Sequence, residues 1–63
     1  FEKSLAVNKN LPQGHVLQFD DLEAKKPKGH GIDASHYKSV IGQKINQDIE
    51  AWSFLTEEML GKS

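Results

Sequence analysis

The stretch NLPQGHVLQFDDL, residues 10–22, returns in weakened form as DIEAWSFLTEEML, residues 48–60. At one constant offset Leu11 falls on Ile49, Val16 on Phe54, Leu17 on Leu55, Asp20 on Glu58 and Leu22 on Leu60. The chain has only 63 residues, so it has room for one small domain, 1–63, and the two phrases must share it. A domain of this size buries about 60% of the surface its unfolded chain exposes, which leaves little core to spare. There is no Cys, so no disulfide framework or thiolate metal site can make up the difference. Two similar hooks, neither able to bury its own apolar side, have to cover each other. The expected arrangement is therefore a pair related by internal pseudo-twofold symmetry.

Punctuation by Gly and Pro sets the element lengths. Leu5 to Asn8 is an apolar run of strand formers, and Pro12 and Gly14 make a turn. His15 to Phe19 reads as a short strand or extended hook. Asp20 and Asp21 suit a single helical turn capped by a carboxylate, with Leu22 pointing inward. Residues 23–32, EAKKPKGHGI, read as a solvated loop. Asp33 is placed to cap a two-turn helix over 34–41, whose buried stripe is Tyr37, Val40 and Ile41, and Gly42 ends it. KINQDI, 44–49, alternates well enough for a strand. Thr56 then caps a closing turn with Met59 and Leu60 beneath it. No segment has the length or period for a helix bundle, so the fold class is mostly β with short helical turns.

Charge narrows the function classes. Eight Lys against nine Asp and Glu leave a formal net charge of −1, which provides no field to attract nucleic acid or an anionic membrane. With no Arg, bidentate guanidinium recognition is ruled out. No apolar run approaches the roughly 20 residues of a membrane span, and no signal-peptide pattern is present. The chain begins at Phe1, and we expect it to be a piece of a longer polypeptide.

Few residues can be assigned chemistry. His15, His30 and His36 lack metal-ligand spacing and read as surface or loop residues. Asp20/Asp21 and Glu57/Glu58 are adjacent pairs that diverge on a turn, which suits end-capping and solubility better than facing catalytic acids. The closing Gly61-Lys62-Ser63 lacks the earlier Gly and the following helix of a phosphate loop. Trp52 reads either as an exposed recognition aromatic or as a tip side chain folded over the core. Lys25 to Ile32 says more: Gly29 and Gly31 permit close backbone approach, and Lys25, Lys26 and Lys28 could meet an anion or a carbonyl. On composition alone a flexible solvated connector is the commoner reading of such a loop.

Taken in order, Ser4-Leu5, Leu11-Pro12-Gln13-Gly14, Asp20-Asp21-Leu22, Lys26-Pro27-Lys28-Gly29-His30-Gly31-Ile32, Val40-Ile41-Gly42-Gln43-Lys44, Asn46 and Asp48-Ile49 span nearly the whole chain. This ordered set resembles the SAF domain, the antifreeze-like module at the C-terminus of sialic acid synthases. The resemblance implies a β-clip (type III antifreeze-like) fold excised from the C-terminus of a longer, cytoplasmic enzyme. That parent, an N-acetylneuraminate synthase-type transferase, would condense phosphoenolpyruvate with N-acetylmannosamine or a related 2-acetamido sugar. The resemblance implies no cofactor for this domain and a divalent metal in the absent (β/α)8 barrel. It also implies a substrate-capping role, in a homodimer, over the catalytic barrel of the neighbouring subunit, without nucleic acid or membrane. By position, Lys26 takes the place of the family's sugar-contacting residue, usually Arg, and the extra Lys28 leaves Lys25 and Lys28 as competitors, beside Gly29 and Gly31. Alternative readings are an SAF module of another lineage, such as a pilus or flagellar assembly chaperone or a sugar-acid dehydratase, and a free-standing ice-binding protein. The long, hydrated Lys9, Asn10, Gln13, His15 and Gln18 on the first hook suit ice poorly.

Overall fold

A computed structural model describes residues 3–27 and 29–60. Its sheet is two-stranded and antiparallel: β1 (Ser4–Val7) lies beside β2 (Leu22–Lys25), with Ser4 opposite Lys25 and Val7 opposite Leu22. β1 is buried at every position, whereas β2 is half-buried at its ends and exposed between them. The sequence reading placed residues 23–32 in a loop, and the first part of that span is strand instead. Leu-Glu-Ala-Lys has no β-branched residue, so its own preference is weak. Pairing with the buried β1, whose backbone groups need partners, decides its conformation.

The rest of the chain is held by isolated bridges and single turns. One-turn 3-10 segments occupy Phe19–Asp21, Ala34–His36 and Glu57–Met59, and α1 is the short helix Tyr37–Val40. The helical stretch is thus shorter than the expected 34–41. The Asp33 carboxylate accepts from the Ser35 amide at 3.1 Å and starts it as foreseen. Ile41 leaves the helix in extended backbone, so its side chain turns off the stripe and stands 36% exposed instead of buried. Residues 44–49 form no continuous strand; Lys44 bridges to Val16, and Ile49 to Leu11. Thr56 begins the last turn without any cap bond from its side chain. Gln18 sits at the cap position of the first turn, and the expected carboxylate cap comes from Asp21, which accepts from the Gln18 amide at 2.9 Å.

The repeated phrase has a direct counterpart in the hydrogen bonds. Leu11 and Ile49 exchange both backbone bonds, at 2.8 and 2.9 Å. The offset that carries Leu11 onto Ile49 also carries the bond from Gly14 N–H to the Ile45 carbonyl onto that from Trp52 N–H to the Val7 carbonyl. It carries Leu17 donating to Gln43 onto Leu55 donating to Leu5, and Asn46 donating to Met59 onto Asn8 donating to Asp21. Side chains follow the same exchange. The Asp48 carboxylate accepts from the Gln13 amide, and the Asn10 side-chain oxygen accepts from the Ala51 amide, both at 2.8 Å. Each half therefore satisfies the backbone of the other.

Between them lies one core of Leu5, Val7, Leu11, Leu17, Ile32, Val40, Ile45, Ile49, Leu55 and Leu60, with Leu22, Ala34, Tyr37 and Met59 packed around it. Two aligned pairs of the repeated phrase meet there: Leu11 and Ile49 are both buried, and Leu17 and Leu55 are fully so, whereas Val16 and Phe54 stand outside it. Removing such a pair from water contributes about 1.5–3 kcal/mol per side chain, which a domain this small needs from nearly every core position. No helix among the described residues is long and apolar enough to cross a membrane.

Candidate functional site

β2 delivers the chain into the basic loop at Lys25-Lys26-Pro27, and the Lys26–Pro27 peptide bond is cis. From there to Ile32 the loop is fastened at several points. The Ser4 hydroxyl, at 0% exposure, donates to the Pro27 carbonyl at 2.9 Å and accepts from the His30 amide at 3.3 Å. One buried hydroxyl thus holds both shoulders of the loop. Ile32 then donates to the Leu55 carbonyl at 2.9 Å while its own carbonyl accepts from Leu5 at 2.8 Å. The described residues on either side of Lys28 are thus each tied by hydrogen bonds to β1 or to the second hook.

The predicted site residues separate into distinct roles. Lys26 is exposed and makes no hydrogen bond or ion pair among the described residues. Lys25 lies along the surface onto the second hook: its ammonium donates to the Trp52 carbonyl at 2.5 Å and lies 4.6 Å from the centre of the Phe54 ring. Gly29 has φ +94° with open space where a Cβ would stand, so it supplies the turn. Gly31 has a different reason to be glycine. A Cβ there would lie 2.4 Å from the Leu55 carbonyl oxygen, so Gly31 lets the loop approach the second hook. Lys28 lies outside the described residues.

Residues that sequence reasoning did not select for the site are Ser4, His30 and Phe54. The His30 and Phe54 rings stack at 5.3 Å with a 30° tilt, so one face of the phenyl ring meets imidazole and the ring also faces ammonium. The one available signal was the Phe54 position itself, which the repeat aligns with the equally apolar Val16. Trp52, left open between two readings, is 52% exposed and takes a positive φ of +69°. Gly14, its counterpart in the first hook, has φ +91°.

A second polar cluster underlies the first hook. Asp21 is only 4% exposed, and its carboxylate accepts from His15 Nε2 at 2.7 Å, Lys9 Nζ at 3.0 Å and the Gln18 amide at 2.9 Å. Burial pushes this carboxyl up, but the hydrogen bonds from His15, Gln18 and Lys9, with the charge of His15, outweigh it and lower the pKa from 3.8 to about 2. Asp21 therefore caps the turn, as expected, by accepting from the Gln18 amide, but it does so as a buried strut and not as a solubilising surface acid. His15 is its partner and not a free loop histidine. Among the described residues no group of three or more His, Asp or Glu is arranged to hold a metal ion.

Short extended segments, halves that complete each other's hydrogen bonds and one fastened basic loop define a small, rigid, mostly β module. The SAF domain model matches residues 2–61, and the chain belongs to that family. The fold matches the solution structure of an antifreeze protein like domain in the human N-acetylneuraminic acid phosphate synthase gene. The TM-score is 0.87 at 22% identity, over 95% of this chain and 76% of that one. No curated protein sequence matches the chain.

Proposed function

We propose that this module is the substrate-capping SAF domain of a sialic acid synthase-type enzyme. The parent condenses phosphoenolpyruvate with N-acetylmannosamine or a related 2-acetamido sugar. The carrying observation is the loop fastened on both shoulders, on which Lys26 stands exposed with no hydrogen bond or ion pair among the described residues while its neighbours are held. A loop whose backbone is already tied down loses less freedom when it meets a ligand, which is how preorganisation adds affinity. Family membership and the fold match support the same reading. The module closes over the catalytic barrel of a neighbouring subunit in a homodimer, in the cytoplasm. The barrel supplies the reaction and its divalent metal, and this chain supplies the lid.

In this reading Lys26 donates to sugar hydroxyls or the acetamido carbonyl. An ammonium serves here as a point donor, less directional than the planar guanidinium it replaces. Gly29 turns the backbone at the tip of the loop. The test is Lys26→Ala in the full-length synthase, with a sugar KM increase of about tenfold or more expected. Unchanged KM and kcat would remove Lys26 from the site. A coding sequence upstream of Phe1 that encodes a (β/α)8 barrel is the second expectation, and a secretion signal there would favour the assembly-chaperone lineage.

A further inference from the structure

Resting on that lid reading, we propose that Lys25 is a positioning residue: seated on the Phe54 ring and the Trp52 carbonyl, it presets the loop so that Lys26 points outward. Lys25 is the last residue of β2, and Lys26 opens the bend that carries the cis Lys26–Pro27 bond. Holding the end of β2 against the second hook sets where that bend starts, and Lys26 stands exposed on it. The ammonium of Lys25 reaches the Trp52 carbonyl at 2.5 Å and the Phe54 ring centre at 4.6 Å. Both contacts lie on the second hook, remote in sequence, so they tie β2 to that hook where the loop leaves the sheet.

The same Phe54 ring stacks on His30, toward the far end of the loop, at 5.3 Å. One aromatic ring thus braces the entrance through Lys25 and the exit through His30. The Trp52 corner completes the device. Its backbone takes φ +69°, a conformation that Gly14 supplies in the first hook, and its carbonyl there receives the Lys25 bond. A backbone position that side chains rarely adopt is retained where the surrounding contacts hold it in place. Charged hydrogen bonds are among the stronger local contacts able to do so.

Two arms separate the clamp from the lid. The first uses this chain: Lys25→Met keeps the apolar stem over Phe54 and removes only the ammonium, so folding is retained. Amide hydrogen exchange at His30 and Ile32, whose amides donate to Ser4 and Leu55, is expected to speed up by about tenfold relative to Leu5 and Ala6 in β1, with Lys25→Arg restoring most of the protection. The second arm measures sugar KM in the full-length synthase, where Lys25→Met is expected to raise KM by about tenfold with kcat within about twofold. Unaltered loop exchange in Lys25→Met overturns the clamp. Faster loop exchange with unaltered KM, in an enzyme where Lys26→Ala does raise KM, overturns its role in positioning Lys26. If Lys26→Ala is silent while Lys25→Met loosens the loop, the clamp stands and the sugar-facing reading falls.

Discussion

Replacing the Asp21 carboxylate by an amide, Asp21→Asn, isolates the charge of one buried group without changing its size. The folded chain holds this carboxyl at about 2 against an ordinary 3.8. At about 1.36 kcal/mol per pKa unit, the ionised form contributes about 2 kcal/mol to stability at neutral pH. Because the folded pKa is the lower one, protons favour the unfolded chain. The contribution is complete above about pH 5 and drains away as the pH falls through 3.8 toward 2. A domain of this length has only a few kcal/mol in total, at about 0.05–0.15 kcal/mol per residue, so the loss is a large share. Urea titrations followed by circular dichroism from pH 7 to pH 2 provide the assay. With a slope near 1 kcal/mol per molar urea, Asp21→Asn should lower the midpoint by about 2 M at pH 7 and by much less at pH 2. Asp20→Asn, exposed and one residue away, should change stability by less than about 0.5 kcal/mol. If Asp21→Asn keeps the full acid dependence of the parent chain, the assignment of that dependence to Asp21 is wrong.

Three further outcomes follow from the packing. Gly31→Ala should cost at least about 2 kcal/mol by thermal denaturation, because the new Cβ meets the Leu55 backbone oxygen; Gly14→Ala, strained only in φ, should cost about 1–2 kcal/mol. Ser4→Ala should destabilise by about 1–3 kcal/mol and raise hydrogen exchange at His30, since it removes the hydroxyl shared by the two shoulders of the loop. Thermal hysteresis should be essentially nil, because the first hook exposes Lys9, Asn10, Gln13 and Gln18; a measurable freezing-point gap would overturn that expectation.

How far the fold could be read from sequence differs between its parts. The echo between residues 10–22 and 48–60 carried real spatial information, because residues aligned by it make matching hydrogen bonds, down to Leu11 pairing with Ile49. The core was legible for the same reason. β2 was not, since Glu23, Ala24 and Lys25 are strand residues only because β1 lies beside them. Ile41 was assigned to the core by helical spacing, but the helix stops one residue short of it. For the site, the basic Gly loop was found from composition and family pattern. Its internal division was not, because nothing local distinguishes a Lys25 seated on the second hook from an exposed Lys26. Asp21 and His15 lie six residues apart across a turn, a separation that no simple periodicity brings together.

The reciprocal bonding of the two halves has a mechanical consequence. With Gly14 donating to the Ile45 carbonyl and Trp52 to the Val7 carbonyl, neither turn can part from the other half without orphaning backbone groups on both sides. Opening either turn therefore breaks matched bonds in both halves at once. In the proposed lid, the pocket would then be uncovered by swinging the module about its tether rather than by parting its hooks.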